Sequence, residues 1–335
     1  MKDLQKMSPV ELKSCSILAS VYALRMLGMF LILPIFAIYA TNLDSNPTSL
    51  QIGLALGIYG LTQAIFQIPF GMSSDYFGRK KVIYFGLLLF IIGSLIAGYS
   101  TSIEGIILGR SIQGSGAISA VLTALLADIT REEQRTKAMA IIGASIGLTF
   151  ALSLVLSPWL NDVIGVDGIF ILMAILSFTA FLLVYFFIKE PEIRKEKTKT
   201  SADEFLKILK DINLFRMNFG IFVLHATQIS MFMIIPIYLV NQGGINLSDH
   251  WQIYLPVLFF SFLLMIPIII FSEKFNKIKI AFLSSIIILF VAQLVFIIFG
   301  NTLFGIILAL LIYFVGFNFL EAFLPSLVSK IAPIN

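Results

Sequence analysis

Ten stretches of at least 18 mostly apolar residues succeed one another along this chain. They run roughly Cys15–Ala40, Gln51–Met72, Val82–Tyr99, Ile103–Ile129, Ala138–Pro158, Gly168–Ile188, Arg216–Val240, Trp251–Phe271, Ile280–Phe299 and Leu303–Ile331. Crossing the hydrocarbon core of a bilayer takes about 20 residues of helix. Inside lipid, only helices and closed barrels satisfy every backbone N–H and C=O. Barrel strands are about ten residues long and alternate apolar with polar, a pattern these runs lack. The expected fold class is therefore all-α and polytopic, with ten membrane-spanning helices. Composition agrees: 59% of the 335 residues are apolar and 13% are charged, against about 45–50% and 25% in soluble domains. This excludes an ordinary soluble enzyme, a disordered chain and a disulfide scaffold. One cysteine, Cys15, and two histidines leave little for a metal site, and no cofactor is expected.

The charges give the topology. Of the 23 Lys and Arg, 21 fall before span 1 or after spans 2, 4, 6, 8 and 10. The other two, Arg25 and Arg110, lie inside spans, and the opposite loops hold only acids, among them Glu104, Asp162, Asp167 and Asp249. The positive-inside rule then places the N-terminus and residue 335 in the cytoplasm. Basic residues that follow topology give no support to nucleic-acid binding. The first apolar run is about 25 residues long and contains Arg25, whereas a signal h-region is about 7–15 residues and uncharged. It is read as a retained span.

One long polar stretch, Lys189–Asn213, divides six spans from four and reads as an inter-domain linker, with a short surface helix expected over Ser201–Asp211. The expected organisation is an N-terminal bundle over 1–188, a cytoplasmic linker over 189–215 and a C-terminal bundle over 216–335. Internal repeats support it. MFLILPI at Met29–Ile35 is answered by MFMIIPI at Met231–Ile237, and GIIL at Gly105–Leu108 by GIIL at Gly305–Leu308, at offsets of 202 and 200. Parallel repeats of this kind build many secondary transporters.

The loop after span 2 reads GMSSDYFGRKKVI. Gly71, Asp75, Gly78, Arg79 and Lys80 resemble the signature loop of the major facilitator superfamily. Ser73 stands where the family usually has an aliphatic residue, and Tyr76 where it often has Arg. In span 4, Arg110, Gln113 and Gly114 resemble a second motif, found among proton-coupled members. Arg110 lies about 9 Å from the centre of its span at 1.5 Å per residue, so it should face protein or a water-filled cavity. Span 5 keeps the pair Gly143 and Gly147, expected to pack a helix closely. Leu148 and Thr149 depart from the Gly-rich motif of the family's drug antiporters. Segments such as LRMLGMFLILP, GIYGLTQAIFQIPFG, TREEQRTKAMA and FNFLEAFLPSLVSK extend the resemblance to the proton-driven drug-exporter branch along the whole chain.

The resemblance implies a twelve-helix transporter of a bacterial inner membrane that works by alternating access, with a small-molecule substrate and protons as partners and a monomeric state. It implies a cytoplasmic cluster of Asp75, Arg79 and Asp128 that locks one conformation. The two spans that the repeat predicts after the tenth are missing, so an incomplete or shortened chain is expected. The polar residues inside spans are the substrate and proton candidates: Arg25, Gln63, Gln67, Arg110, Gln113, His225, Gln228, Asn318 and Glu321. Glu321 is the one carboxylate well inside a span; it and His225 are residue types that exchange protons. The expected function is proton-linked export of small amphipathic compounds. A carrier for a single metabolite and a non-transporting remnant are the alternatives; no nucleophile or metal constellation points to an enzyme.

Overall fold

Caps mark where the helices begin. The structure is a computed structural model that describes residues 7–43, 45–189, 210–275 and 277–331. Ser8 opens α1 (Pro9–Leu31): its hydroxyl accepts from the Glu11 N–H, the Glu11 carboxylate accepts from the Ser8 N–H, and proline fills the first helical position. Thr48 and Gln51 repeat the device for α3 (Ser49–Phe77). Pro34, which has no N–H to give, lies in the turn between α1 and α2 (Phe36–Thr41). Gly78, at φ 99° and ψ 147°, joins α3 to α4 (Arg79–Tyr99) in a conformation that side chains resist. A short break at Gly116–Ile118 separates α5 (Ile103–Ser115) from α6 (Ser119–Ile129).

The next element, α7 (Glu132–Phe187), has 56 residues, about 84 Å if it were straight. It is not straight, because Gly165 leaves the helical region at φ 67° and ψ 175°. Ala138 and Ile142 share one core with Ala180 and Val184, which a straight helix would hold roughly 60 Å apart. The chain doubles back at Gly165 into two arms. The polar turn expected between spans 5 and 6 is thus almost wholly helical, and a single glycine takes the reversal. The core joins Leu18, Tyr22 and Met26 of α1 to Ile83 and Leu87 of α4, Leu122 and Leu125 of α6, and both arms of α7.

The second part comprises α8 (Ile212–Asn241), a 3-10 turn (Leu247–Asp249), α9 (Trp251–Lys274), α10 (Ile278–Phe299) and α11 (Leu303–Ile331). Phe259, Leu263, Ile287, Phe290 and Ile297 stand exposed on α9 and α10, a surface suited to lipid and not to water. Among the described residues, nine helices are long and apolar enough to cross a membrane, α1 and α2 counting together, α5 and α6 together, and α7 once. The chain forms two compact units, Met1–Ile193 and Arg194–Asn335, so the boundary falls inside the polar stretch. The surface helix expected over Ser201–Asp211 lies outside the described residues except at its end, where Asp211 caps α8. The GIIL repeat is structural as well as textual: Ser102 accepts from the Gly105 N–H at 3.3 Å, and Thr302 from the Gly305 N–H at 3.1 Å.

Candidate functional site

Arg25 stands at the middle of the span formed by α1 and α2, sixteen residues from either end of Pro9–Thr41, and only 1% of it is exposed. Among the described residues, neutral groups alone answer its charge. Nη1 donates to Ser119 Oγ at 2.8 Å; Nη2 donates to Tyr59 Oη at 3.1 Å, the Gly116 carbonyl at 3.2 Å and Gln63 Oε1 at 3.4 Å. The guanidinium carbon lies 5.9 Å from the centre of the Phe90 ring. Its Nε is buried without a partner, as is Gln67 Oε1. Tyr22 positions Ser119, donating to its carbonyl and meeting Thr123 Oγ1 at 2.8 Å.

Arg110, also 1% exposed, turns into the protein. Its Nε donates to the Ala55 carbonyl at 2.7 Å, Nη2 donates to the Leu56 carbonyl at 3.4 Å, and the Tyr59 ring lies 5.4 Å away. Gln113 donates to Ser94 Oγ at 2.7 Å. These contacts need backbones in touch. A Cβ on Gly93 would run into the Gly109 carbonyl, and one on Gly114 into Thr62 Oγ1 and the Tyr59 carbonyl. Gly143 and Gly147 do not pack this way: a Cβ on either meets nothing within 4 Å. GxxxG spacing gives a helix a small face, and among the described residues nothing packs against this one.

At the α3–α4 turn the structure brings Asp75, Arg79 and Asp128 together. Arg79 pairs with Asp75 at 2.5 Å and, through Nε, with Asp128 at 2.9 Å, and it also donates to Ser74 Oγ at 2.6 Å. Asp75 and Arg79 each sit at the unfavourable end of their own helix dipole, and pairing offsets that. Lys80 donates to the Ile188 carbonyl at the end of α7 at 2.6 Å. Gly71 faces Ala120 with room to spare: a Cβ added there would make only an ordinary contact with it. Sequence reasoning missed a neighbouring ion pair, although the SPVE capping pattern at Ser8 was visible. The Glu11 carboxylate accepts from the Arg131 backbone N–H at 2.9 Å, Nε at 3.0 Å and Nη2 at 2.9 Å. Hydrogen bonding to Glu11 raises the Arg131 pKa further above its usual value. A second copy of the loop also went unread: SEKFNKIK at Ser272–Lys279 answers SDYFGRKK at Ser74–Lys81.

In the second unit, His225 Nε2 lies 3.5 Å from Glu321 Oε2, with the two side chains 47% and 44% exposed. The other ring nitrogen, Nδ1, lies 2.9 Å from the Ile221 carbonyl. Asn318, one turn from Glu321, instead donates to Ser261 Oγ on α9 at 3.0 Å. Gln228 is buried in α8. A cavity of about 260 Å³ opens between α8, α10 and α11, lined by Val223, Thr227, Ser230, Gln293, Phe296 and Tyr313 among others. Among the described residues, no cluster of His, Cys, Asp and Glu has the form of a metal site.

Known proteins share this organisation. The chain is 42% identical over 330 residues to the inner membrane transport protein YajR of Escherichia coli K12, covering 98% of this chain and 72% of that one. It is 29% identical over 178 residues to the class B tetracycline resistance protein of Escherichia coli, covering 52% and 44%. The crystal structure of a bacterial homolog of the human lysosomal transporter Spinster, inward-facing and occupied, superposes with a TM-score of 0.77 at 14% identity, over 98% of this chain and 76% of that one. The sequence profile of the Major Facilitator Superfamily matches residues 18–335, and the chain is a multi-pass membrane protein that belongs to that family of transporters.

Proposed function

We propose that the protein couples proton entry to the export of small amphipathic compounds by alternating access. The His225–Glu321 contact carries this reading: an imidazole and a carboxylate 3.5 Å apart inside the second unit's helices, neither of them sealed. Both are residue types that exchange protons in catalysis and transport. The similarity to a tetracycline resistance protein supports the export direction. In this reading the chain crosses a bacterial inner membrane ten times, each α7 arm once, with its N-terminus and residue 335 in the cytoplasm. It works as a monomer.

The test uses inverted membrane vesicles carrying the full-length protein and acidified inside by respiration. Adding a transported compound releases protons, read as recovery of a pH-dye signal. No release across a broad panel of amphipathic compounds overturns the proposal. Competition between chemically unrelated compounds separates this carrier from one built for a single metabolite.

The Asp75–Arg79–Asp128 cluster is the conformational switch in this proposal. Side-chain exposure of 65% at Asp75 and 40% at Asp128 makes these surface pairs, worth about 0–1 kcal/mol each. Arg79→Gln therefore lowers the melting temperature little, yet cuts transport about tenfold, a 1.4 kcal/mol shift between conformations. A parallel loss of stability and transport would assign the cluster to folding instead.

A further inference from the structure

We propose that the polar patch around Arg25 receives the negative group of the transported compound, so that the carrier selects organic anions over organic cations. The inference rests on the transport reading and names its substrate class. A guanidinium in a low-dielectric interior is costly unless a negative charge answers it, and it stands here at mid-span with four neutral acceptors. Among the described residues of the first unit, the carboxylates lie toward the helix ends or the Gly165 reversal, Glu132, Glu133 and Asp162 among them, and five are engaged there. Glu11 holds Arg131, Asp75 and Asp128 hold Arg79, Glu104 accepts from Gln51 at 3.0 Å, and Asp167 accepts from Tyr39 at 2.8 Å. No ion pair forms at Arg25 or at Arg110, the second buried cation, among the described residues. The interior of this unit is therefore positive.

The patch is also built to take a ligand. Arg25 Nε is buried and without a partner. Ser119 and Gln63, both on Arg25, are only partly buried. Gln63 accepts through its oxygen, which leaves its amide N–H2 group to donate. A planar guanidinium matches a carboxylate, sulfonate or phosphate group. A cation of the same shape would add like charge to Arg25 and Arg110.

Two permanently charged probes with one apolar body test this: naphthalene-2-sulfonate and 2-naphthyltrimethylammonium. Binding to the purified full-length protein and counterflow in lipid vesicles are measured for both. The sulfonate is expected to win by at least about tenfold, equivalent to 1.4 kcal/mol. Arg25→Gln removes the preference, and Arg25→Lys keeps its sign. The wild-type comparison stands even where a variant fails to fold. Equal or better handling of the cation overturns the inference, as does an anion preference that survives Arg25→Gln. Neither probe binding also overturns it; proton release by uncharged amphiphiles in the same vesicles then shows that transport itself stands.

Discussion

Glu321→Gln is expected to cut substrate-driven proton release at least about a hundredfold, equivalent to 2.7 kcal/mol at the coupling step. Glutamine keeps the size of the side chain and its hydrogen bonding toward His225 Nε2, now 3.5 Å from a carboxylate oxygen, but it has no proton to exchange. Exchange of labelled for unlabelled compound across the vesicle membrane needs no proton cycle, so it should persist. Because Glu321 is 44% exposed, the change leaves no buried orphan and should not unfold the second unit. His225→Gln is expected to fall between wild type and Glu321→Gln, since the imidazole touches the carboxylate and does not replace it. Full proton release by Glu321→Gln in folded protein would remove the residue from the proton path.

The all-helical, membrane-crossing fold was legible because lipid imposes a simple rule on composition, and apolar runs can be found without knowing what touches what. The loop holding Gly78 was legible because its motif is local in the chain. Contacts across the sequence were not. Arg25 was visible as a charge at mid-span, yet its partners Ser119 and Gly116 lie more than 90 residues away, on elements whose rotation no periodicity fixes. His225 and Glu321 were each singled out, but their contact depends on how α8 and α11 pack. Asn318 shows the limit: it shares a helix face with Glu321 by spacing, but the structure sends it to Ser261. The reversal inside α7 was hidden because one glycine does what a polar loop was expected to do.

The glycines give the sharpest contrast between pattern and packing. Gly143 and Gly147 have the recognised spacing but no neighbour, whereas Gly105 and Gly109 have the same spacing and Gly109 meets Gly93 backbone to backbone. Gly114→Ala should therefore be severe. Its methyl would enter the space of Thr62 Oγ1 and the Tyr59 carbonyl, and backbone cannot yield as a flexible side chain does. Relief requires α5 to move off α3, which also draws Tyr59 from Arg25 and the Ala55 carbonyl from Arg110, exposing two buried cations to poorer company. Overpacking alone costs about 1–3 kcal/mol, and the weakened arginine contacts take the expected total to about 3 kcal/mol or more. For a unit of this size that is a fall of about 6–12 °C in melting temperature. Gly143→Ala, which meets nothing within 4 Å, is the matched control; it should hold the melting temperature or raise it, since alanine favours helix by about 1 kcal/mol over glycine. The measurement is thermal unfolding of both variants in the same detergent. Equal melting temperatures would mean that α3 and α5 can part without loss, and the close packing would then not be what holds Arg25 and Arg110 in place.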